Sequence, residues 1–155
     1  MSRTALQQIR NFYRVAENIA TGGQPAPEQF TAIRHAGFDV IINLALADSP
    51  GAVKEELKII HELGMEYEHI PVPFRKPELA DLNRFFNCME RHREQKIFVH
   101  CAYNWRVSSF IFLYRTIKCQ CPVAEALSDL HAVWHPDNTW QGFIESTLQS
   151  HNIEH

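Results

Sequence analysis

The sequence predicts an α/β fold, with a four- or five-stranded, mostly parallel sheet flanked by helices. Three observations lead there. Between Val40 and Val99, short strand-like runs such as Val40-Ile41-Ile42 and Ile97-Phe98-Val99 alternate with longer segments whose apolar residues recur at helical spacing. A strand, a polar turn and a helix-length apolar segment follow one another between Lys96 and Ile117. The chain has 155 residues, 45% hydrophobic and 21% charged, which suits one ordinary globular domain that needs no disulfide or metal to build its core.

Leu6, Ile9 and Phe12 give helical spacing within residues 1–13, and Val15 to Thr21 reads as an entry strand. Thr21-Gly22-Gly23-Gln24-Pro25 is a turn rich in residues that permit unusual backbone angles. Pro27 and Glu28 suit a first helical turn, Phe30, Ile33 and Arg34 continue it, and Gly37 stops it. Phe38 to Leu46 is the next strand, and after a loop at Asp48 to Gly51 a helix places Val53, Leu57, Ile60 and Leu63 on one face before Gly64. Met65 to Val72 is strand-like, and Pro71, Pro73 and Pro77 keep the following segment out of a helix. Leu79, Leu82, Phe85, Phe86 and Met89 then mark an amphipathic helix. The strand Ile97 to Val99 comes next, and the helix after it, with Val107, Phe110, Ile111, Leu113, Tyr114 and Ile117, is apolar almost all round and therefore central. Pro122 opens another helix to about Ala132, Trp134 to Thr139 breaks it, and Trp140, Phe143, Ile144 and Leu148 define the last. This order predicts right-handed crossovers with helices on both faces, and ligands at the C-terminal ends of the strands.

Fifteen basic against eighteen acidic side chains leave a net charge of −3, which argues against a general nucleic-acid or anionic-membrane binder while permitting a local positive pocket. No N-terminal segment has the core of a signal peptide and no apolar run reaches the ~20 residues of a membrane span, so a cytoplasmic protein is expected. Of the four cysteines, Cys119 and Cys121 form Cys-x-Cys, and Cys88 has no neighbouring ligand at the usual zinc-motif spacing; all three are expected to be free or buried thiols.

The chemistry concentrates in Lys-Ile-Phe-Val-His-Cys-Ala-Tyr-Asn-Trp-Arg-Val-Ser-Ser, residues 96–109. A loop between a strand end and a helix start turns backbone N–H groups inward and adds the positive end of the helix, a setting that suits an anion and favours a thiol in its attacking, thiolate form. Cys101 is therefore the candidate nucleophile. Arg106 is read as the oxyanion ligand, because a cation at a helix N-terminus is unfavourable unless it serves an anion. The amides from Ala102 through Tyr103, Asn104 and Trp105 to Arg106 would complete the cradle. His100 should point away from Cys101 along the strand and bond the loop backbone. Asn104 tolerates a positive φ better than most residues. Trp105 is a pocket wall or a surface anchor, and Ser108 either caps the helix or assists a leaving thiolate.

His-Cys, a short loop, Arg and then Ser resembles the signature of the cysteine-dependent protein tyrosine and dual-specificity phosphatases. The resemblance implies a phosphotyrosine-phosphatase-like fold in which Cys attacks phosphorus, Arg grips the equatorial oxygens and a hydroxyl helps the thiolate leave. That family has one residue more between Cys and Arg than the four here. Aligned without a gap, Asn104 takes the family's glycine position, Ser108 the hydroxyl position and Val107 the arginine position. The shorter spacing is similar to that of rhodanese-type sulfurtransferases. The Gly-Gln-Pro turn, a helix ending Ala-Gly-Phe and a strand ending Ile-Asn-Leu also resemble a small bacterial phosphatase-like family whose domain occurs beside β-lactamase-like sulfide-handling enzymes. Gln24 is then either near the anion pocket or a cap on its own turn.

The resemblance also implies an acidic proton donor on the loop before the preceding helix, where this chain reads Pro71-Val72-Pro73-Phe74-Arg75-Lys76-Pro77-Glu78 without an Asp. Glu78 and Asp81 are the candidates, each alternatively a first-turn residue that complements the helix dipole. Asp137, in Trp-His-Pro-Asp, falls after the Cys. Arg75 and Lys76 either recruit an acidic substrate or are solvated. The expected protein is a slow, cysteine-dependent phosphatase acting on a phosphorylated substrate of unknown type, with no metal or organic cofactor implied and an open oligomeric state. A sulfurtransferase carrying a persulfide on Cys101 and a non-catalytic phosphate-binding module are the alternatives.

Overall fold

The structure, a computed structural model, describes residues 2–154. Its elements run α1 (Ser2–Gln7), β1 (Tyr13–Ala16), β2 (Ile19–Gly22), α2 (Pro27–His35), β3 (Val40–Asn43), α3 (Glu56–Glu62), β4 (Glu66–His69), α4 (Leu79–Arg91), β5 (Ile97–His100), α5 (Trp105–Leu113) with a π-helical continuation (Tyr114–Lys118), α6 (Val123–Val133) and α7 (Asn138–Ser150). The five strands are ordered β1-β2-β5-β3-β4, so β5 is central. All pairs are parallel except the β1–β2 hairpin.

That hairpin corrects two expectations at the start of the chain. The helix predicted within residues 1–13 closes at Gln7, with Met1 outside the described residues, and the expected entry strand is two antiparallel strands. Leu6 and Ile9 are buried nonetheless, and Phe12 stacks on Phe98 at 6.3 Å, so the apolar spacing reports packing rather than a continuous helix.

Strand alternation sorts the core into two layers. Ala20, Ile41 and Phe98 face α1, α2 and α3 through Leu6, Phe30, Ile33 and Ile60. Val40, Ile42, Ile97 and Val99 face α4 to α7 through Phe85, Phe110, Leu130 and Trp140. Burying both faces leaves the strand ends as the place where polar chemistry can reach the surface. Register aligns Gly22, His100, Asn43 and His69 in one row across β2, β5, β3 and β4, and the chain leaves all four strands on the same side.

The predicted face of α3 holds at Ile60 and Leu63, which join the core, and fails at Leu57. Leu57 is 49% exposed and Glu56 is buried in its place, with the chain entering the helix through Glu55 at a left-handed φ of +58°. The central helix begins two residues earlier than expected, at Trp105, and its last turn widens to π geometry. Among the described residues no helix is long and apolar enough to cross a membrane.

Candidate active site

Cys101 follows β5, the central strand of the five. Its amide donates to the Gly22 carbonyl (3.4 Å) and the His100 carbonyl accepts from Leu44 (2.8 Å), which pins the strand end between β2 and β3. The loop then closes on the Gly22-Gly23-Gln24 turn: the Gln24 amide donates to the Ala102 carbonyl at 3.0 Å, and Asn11 Nδ2 donates to the Tyr103 carbonyl at 2.8 Å. A Cβ on Gly23 would stand 2.6 Å from the Ala102 oxygen, so only glycine lets the turn come this close.

Asn104 turns the chain into α5 with φ +69°, the positive angle expected of a residue in the family's glycine position. Its Nδ2 donates to the Asn11 carbonyl (2.8 Å) and to Thr21 Oγ1 (2.9 Å), so the side chain that makes the turn tolerable also fastens the loop to β2. By the geometry of any helix, the first amides of α5 lack intrahelical acceptors and point toward the loop interior.

Arg106 is the second residue of α5 and only 6% exposed. Its Nη1 donates to the Val72 carbonyl at 2.8 Å, and its guanidinium lies 5.9 Å from the Phe74 ring. The loop before α4 thus holds one edge of the guanidinium, and a planar fork leaves its remaining donors to aim elsewhere. Phe74 is itself fixed, because its carbonyl accepts from Trp140 Nε1 at 2.7 Å.

His100 behaves as the strand geometry requires. It is fully buried, turned away from the Cys101 side chain, with Nδ1 3.3 Å from the Cys101 carbonyl and Nε2 2.7 Å from Glu56 Oε2. Glu56 Oε1 accepts from Gln24 Nε2 at 2.9 Å, and Asn43 Nδ2 donates to the Tyr67 hydroxyl at 3.0 Å. Burial works to raise the Glu56 carboxyl, but the His100 charge and the hydrogen bonds from His100, Gln24 and Tyr67 outweigh it and hold the group below the usual carboxylate range. Burial, reinforced by the Glu56 charge, pushes the Tyr67 phenol up. Gln24 bonds its own turn at the Pro25 carbonyl (3.0 Å), as expected of a cap, and its second bond goes to Glu56. Beside this network opens a cleft of about 610 Å³ lined by Gln24, Asn43, Lys54, Glu56, Tyr67 and His69.

Trp105 packs among three other rings. It stacks on Trp134 with centroids 5.1 Å apart and planes 9° from parallel, on Tyr103 at 5.1 Å, and meets Phe74 at 5.9 Å. Ser108 does not cap α5: its Oγ, like that of Ser109, donates back to the Trp105 carbonyl, at 3.2 and 3.0 Å.

The candidate acids are placed less closely. Glu78 immediately precedes α4, with a 53% exposed side chain 4.0 Å from Lys76. Asp81 is 9% exposed and accepts from Arg84 at 2.9 Å. Asp137 caps α7 by accepting from the Trp140 amide at 2.9 Å. Cys88, expected to lack a neighbouring ligand, instead stands with Glu68 and His92, their ligand atoms within 4.8 Å of one another, because a helix brings residues four apart onto one face and the sheet supplies the third.

A strand-end cysteine, a tight loop and an arginine at the first turn of a buried helix, on a five-stranded α/β sheet, define the class of cysteine phosphatases. Residues 6–145 match the family described as DSP-PTPase phosphatase fused to NAD+ kinase, and the chain belongs to that family. A DUF442 protein of Shewanella putrefaciens CN-32 with a proposed phosphatase activity is 31% identical over 96% of this chain and 97% of its own, with a TM-score of 0.85. Tk-PTP in its active form shares the fold at 17% identity, covering 90% of this chain and 97% of that one, with a TM-score of 0.77. The core catalytic domain of the PP-IP phosphatase SIW14 of S. cerevisiae, in complex with citrate, shares it at 17% identity over 93% and 94%, with a TM-score of 0.74. No curated protein sequence matches.

Proposed function

We propose that the whole chain is one phosphatase-like domain that hydrolyses phosphate monoesters through Cys101. The observation that carries this reading is the joint placement of Cys101 and Arg106: the thiol follows the central strand, the left-handed Asn104 reverses the chain, and a buried guanidinium anchored on Val72 enters at the first turn of α5. The loop amides from Ala102 to Arg106 and the free edge of Arg106 bind the equatorial oxygens of the phosphoryl group. The Cys101 sulfur attacks phosphorus, the P–O bond to the leaving group breaks, and that oxygen takes a proton. Water then attacks the phosphocysteine, releasing phosphate and returning the thiolate, with the Ser108 hydroxyl turning from the Trp105 carbonyl to meet the departing sulfur.

Glu78 and Asp81 are the proposed proton donors, Asp81 being the more enclosed. Each is engaged with a cation, Lys76 or Arg84, and must leave that pair to serve the leaving group. A donor that must be freed first makes the enzyme slow on poor leaving groups, since a positioned acid contributes ~10² to 10⁴ in rate. The stack of Tyr103, Trp105 and Trp134 supplies a flat wall for the organic part of the substrate. The substrate is met at the strand ends, with neither nucleic acid nor membrane required, and the site is of a kind at home in a reducing cytoplasm.

The test is phosphate release from an aryl phosphate by wild type and by Cys101→Ser, run beside persulfide formation from thiosulfate. Release that depends on Cys101 supports the proposal. Cys101-dependent persulfide formation without phosphate release overturns it in favour of the sulfurtransferase that the four-residue spacing also fits, and inactivity in both assays with phosphate still bound overturns it in favour of a binding module.

A further inference from the structure

We propose that Glu68, Cys88 and His92 form a binding site for a zinc-like divalent cation, clamping edge strand β4 to the end of α4. One ligand atom from each lies within 4.8 Å of the others. Zinc holds N, O and S ligands at about 2.0 to 2.3 Å, so the three residues reach one coordination sphere by small shifts in which the ion replaces the direct His92–Glu68 contact. Cys88 and His92 are four apart on α4 and its C-terminal cap, 1% and 5% exposed, and Glu68 arrives from the strand beneath. Thiolate, imidazole and carboxylate together suit zinc or cobalt rather than magnesium or calcium, which take oxygen ligands.

The surroundings are arranged as a metal's outer ligands are. Gln95 Oε1 stands 2.6 Å from His92 Nδ1 and accepts its proton, which directs Nε2 at Glu68, 2.8 Å away. Arg91 Nη2 holds Glu68 Oε2 at 2.9 Å, leaving the second carboxylate oxygen to an ion. Glu66, 3.8 Å from His92 Nδ1 and bonded to Gln95, is the remaining charge beside the imidazole.

Burial and the Glu68 charge push the Cys88 thiol up to about 12. For His92 burial works to lower the group, but Glu68 and Gln95 outweigh it and keep the imidazole protonated above its usual range.

The test uses the full chain, stripped with a chelator and titrated with Co(II) in a weak buffer. One cobalt should bind, with a thiolate-to-cobalt charge-transfer band. The band should persist in Cys101→Ser and in Cys119→Ser/Cys121→Ser, disappear in Cys88→Ser, and weaken at least tenfold in affinity in the milder Glu68→Gln. Zn(II) at a hundredfold excess over its dissociation constant should raise the wild-type melting midpoint by about 5 to 10 °C. Absence of the band in folded wild type, or a band that survives Cys88→Ser, overturns the proposal.

Discussion

Cys101 and Cys88 are each 1% exposed, and each is attended by a histidine and a glutamate: His100 with Glu56 in one region, His92 with Glu68 in the other. The difference lies in orientation. At β5 the histidine and glutamate bond each other, and His100 also lies 3.3 Å from the Cys101 carbonyl, so the pair braces the start of the loop that runs from Cys101 to Arg106. At α4 the sulfur faces the carboxylate itself, and negative charge in an apolar setting keeps its proton on. The same three residue types give a proposed nucleophile where the acid is turned away and a proposed metal ligand where it is turned toward the thiol. Reactivity here follows from which atoms share a cavity, not from composition.

The sharpest way to break that contrast is alkylation. A thiol pushed up to about 12 exposes roughly a thousandfold less thiolate than an ordinary one near neutrality. In chelator-treated protein, iodoacetamide should modify Cys101, inorganic phosphate should protect it, and Cys88 should remain unmodified by peptide mass analysis. Modification of Cys88 as fast as Cys101 would erase the distinction.

Arg106→Lys sharpens the other half of the comparison. Lysine keeps the charge and loses the fork that reaches the Val72 carbonyl and an oxyanion together. Turnover on an aryl phosphate should fall about 10²-fold, as for other lost transition-state donors, with folding cooperativity unchanged. An unaltered rate would show that the anion is held elsewhere.

Glu56→Gln removes the charge that pairs with His100 and should cost about 3 kcal/mol by denaturant unfolding at neutral pH, the scale of breaking a buried pair. The folded carboxyl lies below its unfolded value, so its stabilisation is complete above the unfolded pKa and is lost as pH falls through the folded one. Wild type should therefore lose stability through that acid window and the variant should lose less. Equal slopes would mean that the folded protein does not hold the Glu56 carboxyl below its unfolded value.

These predictions divide unevenly between what sequence could and could not announce. The runs at Val40 to Ile42 and Ile97 to Val99 were legible because strands buried on both faces are written as local apolar clusters, and Asn104 because a positive φ restricts residue choice at a single position. Glu56 was illegible: period placed Leu57 inward, whereas Glu56 is the buried neighbour, bonded to His100 44 positions away. The meeting of Trp105 with Trp134 and of Cys88 with His92 and Glu68 likewise depends on how helices settle on the sheet. The hairpin of β1 and β2 was missed because its two strands are four residues each and flank a short turn, so their apolar content reads as one run.

The smallest expected effect tests how tightly the loop is braced rather than what it carries. In Gly23→Ala, the new Cβ would begin 2.6 Å from the Ala102 carbonyl and 3.2 Å from both the Arg10 carbonyl and its Cγ. Two of these neighbours are backbone, which cannot rotate aside, so either the Gly22-Gly23-Gln24 turn or the Cys loop must move. The cost in stability should be about 1 to 3 kcal/mol, the scale of overpacking. If the loop yields, Ala102 loses the hydrogen bond from the Gln24 amide and the amides that follow Cys101 lose their common aim, so phosphate protection should weaken together with stability. If the turn yields instead, stability falls and phosphate protection survives. The two outcomes separate a loop whose shape is imposed by the β2 turn from one held by Asn104 alone, and the left-handed Asn104, bonded to Asn11 and Thr21 on the same side, leads us to expect the first.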